Sequence, residues 1–239
     1  MKKSNSEKGH AKNIANTGLL LALIHQKGDA YKPSNPNLAV KNLEKVAAEG
    51  EKVQSAVNLA VPLYSNAVME RINFYKPLNR YITKLRKSYK AVYGLTPKQL
   101  ENFMTVARRI KGIRKSEKEP KGATPEQHSA SQASYDQRAN SMEMMAGLLK
   151  ETKEFKPNEQ EYKVETVTNM HKEMVVKNKA VASTYAPLNT ARLKRDKILY
   201  TNQDNLVDLF NGAKDYLFSI LETNSADYRA VGRIRFRKA

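Results

Sequence analysis

Residues 37–75 read NLAVKNLEKVAAEGEKVQSAVNLAVPLYSNAVMERINFY, and their pattern decides the fold class. Leu43, Val46, Gly50, Val53, Val57, Ala60, Tyr64 and Ala67 step by alternating threes and fours. That period belongs to a helix packed lengthwise on other helices. The small residues in the seam imply close approach. Pro62 falls inside the pattern, where a proline removes one backbone hydrogen bond and kinks a helix without having to end it. The stretch therefore predicts one long helix over 37–75.

The same features return about 124 residues later. Ala15-Asn16 recurs as Ala139-Asn140, and Tyr31-Lys32-Pro33 as Phe155-Lys156-Pro157. Val40 matches Val164 and Glu49 matches Glu173, while Pro62-Leu63 matches Pro187-Leu188 after a one-residue shift. Ala67 and Arg71 match Ala191 and Arg195, Lys87-x-Tyr89 matches Lys214-x-Tyr216, Thr96 matches Thr223, and Arg109-Ile110 matches Arg233-Ile234. So many matches in one order imply a duplication. Residues 115–132 (KSEKEPKGATPEQHSASQ) have linker composition and no apolar period. The expected organisation is a first helical repeat over 1–116, a linker over 117–132 and a second repeat over 133–239.

Around the long helix, residues 11–27 predict an amphipathic helix with Ile14, Leu19, Leu21, Leu23 and Ile24 inward. Residues 136–153 predict its counterpart, using Met142, Met144, Met145, Leu148 and Leu149. Asn35-Pro36 reads as a cap with a first-turn proline, and Asn158 with Glu161 as a capping box. Third helices are expected near 77–93 and 203–221. A fourth starts at Thr96-Pro97-Lys98-Gln99 and ends near Gly112. Gly232-Arg-Ile-Arg-Phe-Arg-Lys alternates apolar and basic residues, which suits a short strand paired with Ile110–Arg114. The expected fold is all-α: two tandem pseudo-symmetric copies of a three- to four-helix unit in an elongated bundle, with at most that one β pair.

Gly9-His10-Ala11-Lys12-Asn13-x-Ala15-Asn16, Tyr31-Lys-Pro-Ser-Asn-Pro and Ala107-Arg108-Arg109-Ile110-Lys111-Gly112 carry a resemblance. Over most of its length the chain resembles an uncharacterised family of internally duplicated all-helical Bacteroidetes proteins. The resemblance implies bacterial origin and a helical fold, and brings no catalytic residue with it.

Several chemistries find no footing. The chain has no Cys, so disulfides, zinc–thiolate sites and a thiol nucleophile drop out together. His10, His25, His128 and His171 include no i, i+4 pair. Asp204, Asp208 and Asp215 lack the alternate spacing, central Gly and terminal Glu of a calcium loop. Phosphate-binding glycine loops and a nucleophile elbow are missing. Glu49/Glu51 and Glu159/Glu161 sit at i, i+2, on different helix faces. No apolar run approaches a membrane span or a cleavable leader. The expectation is a cytoplasmic protein that is not an enzyme and needs no cofactor or metal.

Charge is the remaining signal. Of the formal +18, residues 71–123 carry +12, from fifteen Lys and Arg against three Glu; residues 1–27 and 192–239 carry +4 each. Arg80, Lys84, Arg86, Lys87 and Lys90 interleave with Tyr81 and Tyr89, and Arg108, Arg109, Lys111 and Arg114 follow. Arg233, Arg235 and Arg237 are the weaker echo. Cations beside aromatics suit phosphates and bases, although tyrosines at this spacing more often pack a core. The reading is a helical interaction or scaffold module whose basic surface engages an anionic partner, either nucleic acid or an acidic protein. Non-specific nucleic-acid binding is the alternative function, and homo-oligomerisation is left open.

Overall fold

A computed structural model describes residues 9–113 and 134–238, and among these every regular element is helical. The α-helices are α1 (His10–Lys27), α2 (Val40–Tyr75), α3 (Leu78–Lys90), α4 (Pro97–Lys111), α5 (Tyr135–Glu151), α6 (Val164–Asp196), α7 (Leu206–Ile220) and α8 (Ala226–Arg233). Short 3-10 turns lie at Gly28–Ala30, Pro36–Leu38 and Gln160–Tyr162, and a π-helical turn at Lys197–Thr201 follows α6 directly. The expected linker, with His128 and Arg114, lies outside the described residues.

As the apolar seam predicts, α2 runs through Pro62 without ending, and α6 runs likewise through Pro187. The predicted entry caps serve something smaller. Asn35 Oδ1 accepts the Asn37 amide and caps only the Pro36–Leu38 turn, with α2 starting at Val40. Near Asn158 the chain makes the Gln160–Tyr162 turn, which has no side-chain cap, before α6 starts at Val164. At α4 the capping box of Thr96 and Gln99 forms as expected, and Gly112 closes the helix at φ 70°.

Contacts divide the chain into two compact units whose bounds differ from those of the two expected repeats. One unit joins Met1–Leu63 with Tyr185–Ala239, and the other is Tyr64–Thr184. Each long helix contributes one part to each unit.

In the 64–184 unit the core is aromatic. Tyr89 stacks on Phe103 at 4.1 Å between centroids with planes 9° apart, and Phe155 leans on Tyr89 at 5.4 Å. Thr152 donates its single hydroxyl proton to the Leu148 carbonyl, so the buried Tyr89 hydroxyl is the donor in their 3.1 Å bond. Arg71 lies 4.0 Å over the Tyr135 ring, and Tyr75 donates to the Tyr135 carbonyl. On α3, Leu78, Ile82, Leu85 and Tyr89 face this core, while α5 supplies Met142, Met145 and Leu149.

The other unit packs Leu20, Ile24, Leu43, Leu199, Leu206, Phe210 and Leu217. Gly50 permits its tightest contact: a Cβ there would stand 2.7 Å from Leu206 Cδ1. Of the predicted inward face of α1, Ile24 is buried and Ile14, Leu21 and Leu23 pack partly buried against the core, but Leu19 does not join them. Asn13, Asn16 and Thr17 are buried beside Leu20 and Ile24, and Leu19 is 56% exposed.

The reason is the C-terminal tail. Among the described residues there is no strand. Residues 232 and 233 belong to α8, and 234–238 are extended against α1. Asn13 Nδ2 donates to the Arg237 carbonyl at 2.7 Å, Arg237 N donates to Asn13 Oδ1, and Asn16 Nδ2 donates to the Arg235 carbonyl. Ile234 and Phe236 turn inward and the arginines outward. The alternation thus exists without its β partner. Ile110, the proposed partner, is helical, and its carbonyl accepts Arg138 Nε at 2.8 Å.

Buried positions repeat at spacings close to those of the sequence matches. Val57 and Val181 are buried 124 residues apart, as are Leu43 and Val167. On α7, Leu206, Phe210, Ala213 and Leu217 repeat the 4-3-4 spacing of α3, 128 residues on. By that spacing Tyr89 corresponds to Leu217, not Tyr216. In the long helices Leu188, buried, falls opposite Tyr64 rather than the exposed Leu63.

Candidate anionic-partner surface

Helix α3 positions the largest group of sequence-selected cations. With Leu78, Ile82, Leu85 and Tyr89 fixed inward, the helical period turns Arg80, Lys84 and Lys87 to the opposite side, and all three are exposed. Lys90 is exposed on the flank. Arg86 is half-buried, and its Nε is buried without a hydrogen-bond partner. Between Glu70 and Glu101 the chain carries eight Lys and Arg and no carboxylate. None of Arg80, Lys84, Arg86, Lys87 and Lys90 has an ion pair among the described residues.

The remaining candidates are distributed differently. On α4, Arg109 is exposed, whereas Arg108 folds back on its own helix to Met104 O and Thr105 Oγ1, and Lys111 is half-buried. Arg233, Arg235 and Arg237 are exposed but belong to the other unit. There Lys238 bonds Asp208, whose carboxyl is held below its ordinary value by Lys238 and Asn205.

The two tyrosines interleaved with the α3 cations are not stacking platforms. Tyr89 is 1% exposed inside the aromatic core. Tyr81 is half-buried, donates to the Glu161 carbonyl at 2.7 Å and packs near Tyr162; burial pushes its hydroxyl pKa up. The ring that does face solvent is Tyr93, 97% exposed in the turn between α3 and α4. It has no hydrogen-bond or ring partner among the described residues, and Gly94 follows it at φ 82°. The sequence signal for it was the Tyr-Gly pair between Lys90 and the Thr96-Pro97 cap.

The described residues include two open grooves. One, of about 480 Å³, lies between α4 and α5, with Val106, Met144 and Leu148 below a rim of Glu101, Arg109 and Glu151. The other, of about 530 Å³, is lined by Ala48, Val53 and Ala56 of α2 with Lys194 of α6.

A polar cluster ties α1 to the π-helical turn. His10 Nδ1 lies 2.8 Å from the Tyr200 hydroxyl, which also accepts Asn13 Nδ2 at 3.3 Å. Burial, then the Arg195 charge, lowers the His10 pKa below 6.5, and burial raises that of Tyr200. Both shifts favour a neutral imidazole beside a protonated Tyr200 hydroxyl, a pair that shares one hydrogen bond. Asn13 spends both amide hydrogens and its carbonyl here and on the tail.

Among the described residues no group of three or more His, Asp or Glu is placed to hold a metal ion, and no helix is long and apolar enough to cross a membrane. No family model, curated protein or solved structure matches the chain.

Proposed function

We propose that this chain is a non-enzymatic helical interaction module, a duplicated bacterial protein of the cytoplasm, that engages an anionic partner through the outer face of α3. The single observation carrying the reading is that Arg80, Lys84 and Lys87 point away from the core in a stretch without carboxylates, none of the three with an ion pair among the described residues. Acids at i±3 or i±4 would stabilise exposed cations on a helix, and like charges there repel; here self-repulsion is left in place, and an incoming anion relieves it. The repeated spacing of buried positions supports the duplication. The burial of Tyr81 and Tyr89 removes two of the rings that had favoured nucleic acid, so charge is what supports the surface.

Binding to heparin, polyglutamate and DNA at about 50 mM salt tests this reading. Three contacts imply a loss of about twentyfold to fortyfold between 50 and 200 mM salt by counterion release. Combined Arg80→Glu, Lys84→Glu and Lys87→Glu should abolish binding while helical circular dichroism is unchanged. Failure of the unmodified protein to bind any of the three polyanions refutes it.

A further inference from the structure

We infer that the α3 face and Tyr93 together form a contact site for single-stranded nucleic acid, with Arg80, Lys84 and Lys87 on phosphates and the Tyr93 ring stacked on a base. This rests on the basic-face reading above and names its partner. Three observations carry it. First, the ridge is linear: Arg80, Lys84 and Lys87 follow one another at steps of about 6 and about 4.5 Å along the axis, the scale of successive phosphates on a single strand. Second, Tyr93 follows α3 directly, three residues beyond Lys90, and is the most exposed of the large apolar side chains that reach solvent. A tyrosine of no other use in the fold is here left wholly in water. Third, the turn is pinned on both sides, by α3 before it and by the capped first turn of α4 after it, so the ring is presented at low ordering cost. Lys98 in that first turn is already paired with Glu101, at 3.1 Å.

An unpaired strand is favoured over a duplex because only splayed bases offer a face to an exposed ring, and such stacking is indifferent to sequence. No Asn, Gln or Arg array for reading base edges accompanies the site. Glu154 approaches the turn, its Cγ 3.9 Å from where a Cβ on Gly94 would stand, and Glu101 pairs with Lys98. These two carboxylates do not offset the eight cations of residues 71–100.

The experiment compares fluorescein-labelled oligothymidylate with an abasic deoxyribose-phosphate oligomer of equal length, by anisotropy at low salt. The unmodified protein should prefer the oligomer with bases. Tyr93→Ala should lower oligothymidylate affinity by about tenfold, the scale of one base–aromatic stack, leaving abasic affinity and salt slope unchanged. Tyr93→Phe should retain the preference. Because the chain has no Trp, Tyr93→Trp adds a single reporter that bound bases should quench. Equal affinity for both oligomers, or an unaffected Tyr93→Ala variant, overturns the stacking site and leaves the basic-face reading standing. Binding to polyglutamate or to phosphatidylglycerol vesicles without binding to oligothymidylate overturns it in favour of another anionic partner. If no polyanion binds, both readings fall. Unchanged melting temperatures for the Tyr93 variants, expected for so exposed a side chain, keep these outcomes separate from misfolding.

Discussion

Asn13 and Arg237, 224 positions apart in sequence, are joined as a strand pair would be: Asn13 Nδ2 donates to the Arg237 carbonyl and Arg237 N donates to Asn13 Oδ1. A side-chain amide stands where a neighbouring strand's backbone would be. Two partly buried bonds of this kind contribute about 1 kcal/mol each. Asn13→Ala should therefore destabilise the protein by about 2 kcal/mol in urea unfolding. It should also free the tail, so that trypsin cuts after Arg233, Arg235 and Arg237 faster than in the unmodified chain. Unchanged cleavage would show that Ile234 and Phe236 alone hold the segment.

Glycine substitutions should divide by environment. In Gly50→Ala the new Cβ meets Leu206 Cδ1 at 2.7 Å, in a side chain that is fully buried and has to shift within the core. Overpacking costs about 1–3 kcal/mol, and the gain in helix propensity returns only about 1. A net loss of about 1 kcal/mol is expected. Gly18 and Gly147 have nothing within 4 Å of a new Cβ. There Ala should stabilise by up to about 1 kcal/mol. Equal effects at all three sites in thermal melts would refute the close approach at Gly50.

That close approach was legible in the seam containing Gly50, as were the long helices, the α4 capping box and the inward positions of Met142, Met145 and Leu149. What escaped the sequence were features that depend on distant partners. Asn13 and Asn16 read as surface residues until the tail supplies carbonyls for them. Leu19 reads as core from hydropathy alone, although the tail dictates which face of α1 turns inward. The compact units, one of which joins the two ends of the chain, leave no local mark. On α3 the pattern located the cations correctly but could not separate Tyr81 and Tyr89, which pack, from Tyr93, which does not.

The Tyr89 assignment can be tested by graded truncation. Tyr89→Phe keeps the stack on Phe103 and loses only the bond donated to Thr152, a cost of about 1 kcal/mol. Tyr89→Ala should cost about 3–5 kcal/mol through the cavity it leaves. Neither change alters polyanion affinity while the variant remains folded. A binding defect in Tyr89→Phe with undiminished stability would return that ring to the binding surface.

Stability should also depend on pH through His10. Its folded pKa lies below the ordinary 6.5, so the unfolded chain binds more protons in the interval between the two values. The contribution of the neutral imidazole is then complete above about 6.5 and is lost as pH falls from there to the lowered folded value. Protonation would put a hydrogen on both ring nitrogens and a charge in a partly buried site, with Arg195 nearby adding repulsion and Asp196 partly opposing it. Melting temperatures between pH 7.5 and 5 should show a decline that His10→Gln lacks. Asp208 acts in a separate window: its stabilisation is present above about 3.8 and disappears as pH falls through its lowered value.

The twelve basic candidates do not form one set, and salt dependence can apportion them. Arg114 lies outside the described residues, Arg86, Arg108 and Lys111 are half-buried, and Arg233, Arg235 and Arg237 belong to a different compact unit from α3. Each phosphate contact adds about 0.7 to the slope of log affinity against log salt for single strands, or about 0.9 for duplex. Neutralising Arg80, Lys84 and Lys87 together as Gln should therefore flatten the single-strand slope by about 2. The matching triple change at Arg233, Arg235 and Arg237 should leave it nearly unaltered, since these side chains flank a tail whose backbone is already committed to α1. Gln rather than Glu keeps the comparison to lost contacts, without added repulsion. If the tail triple flattens the slope and the α3 triple does not, the anionic partner binds at the C-terminal segment, and the exposed face of α3 is only a solvated surface.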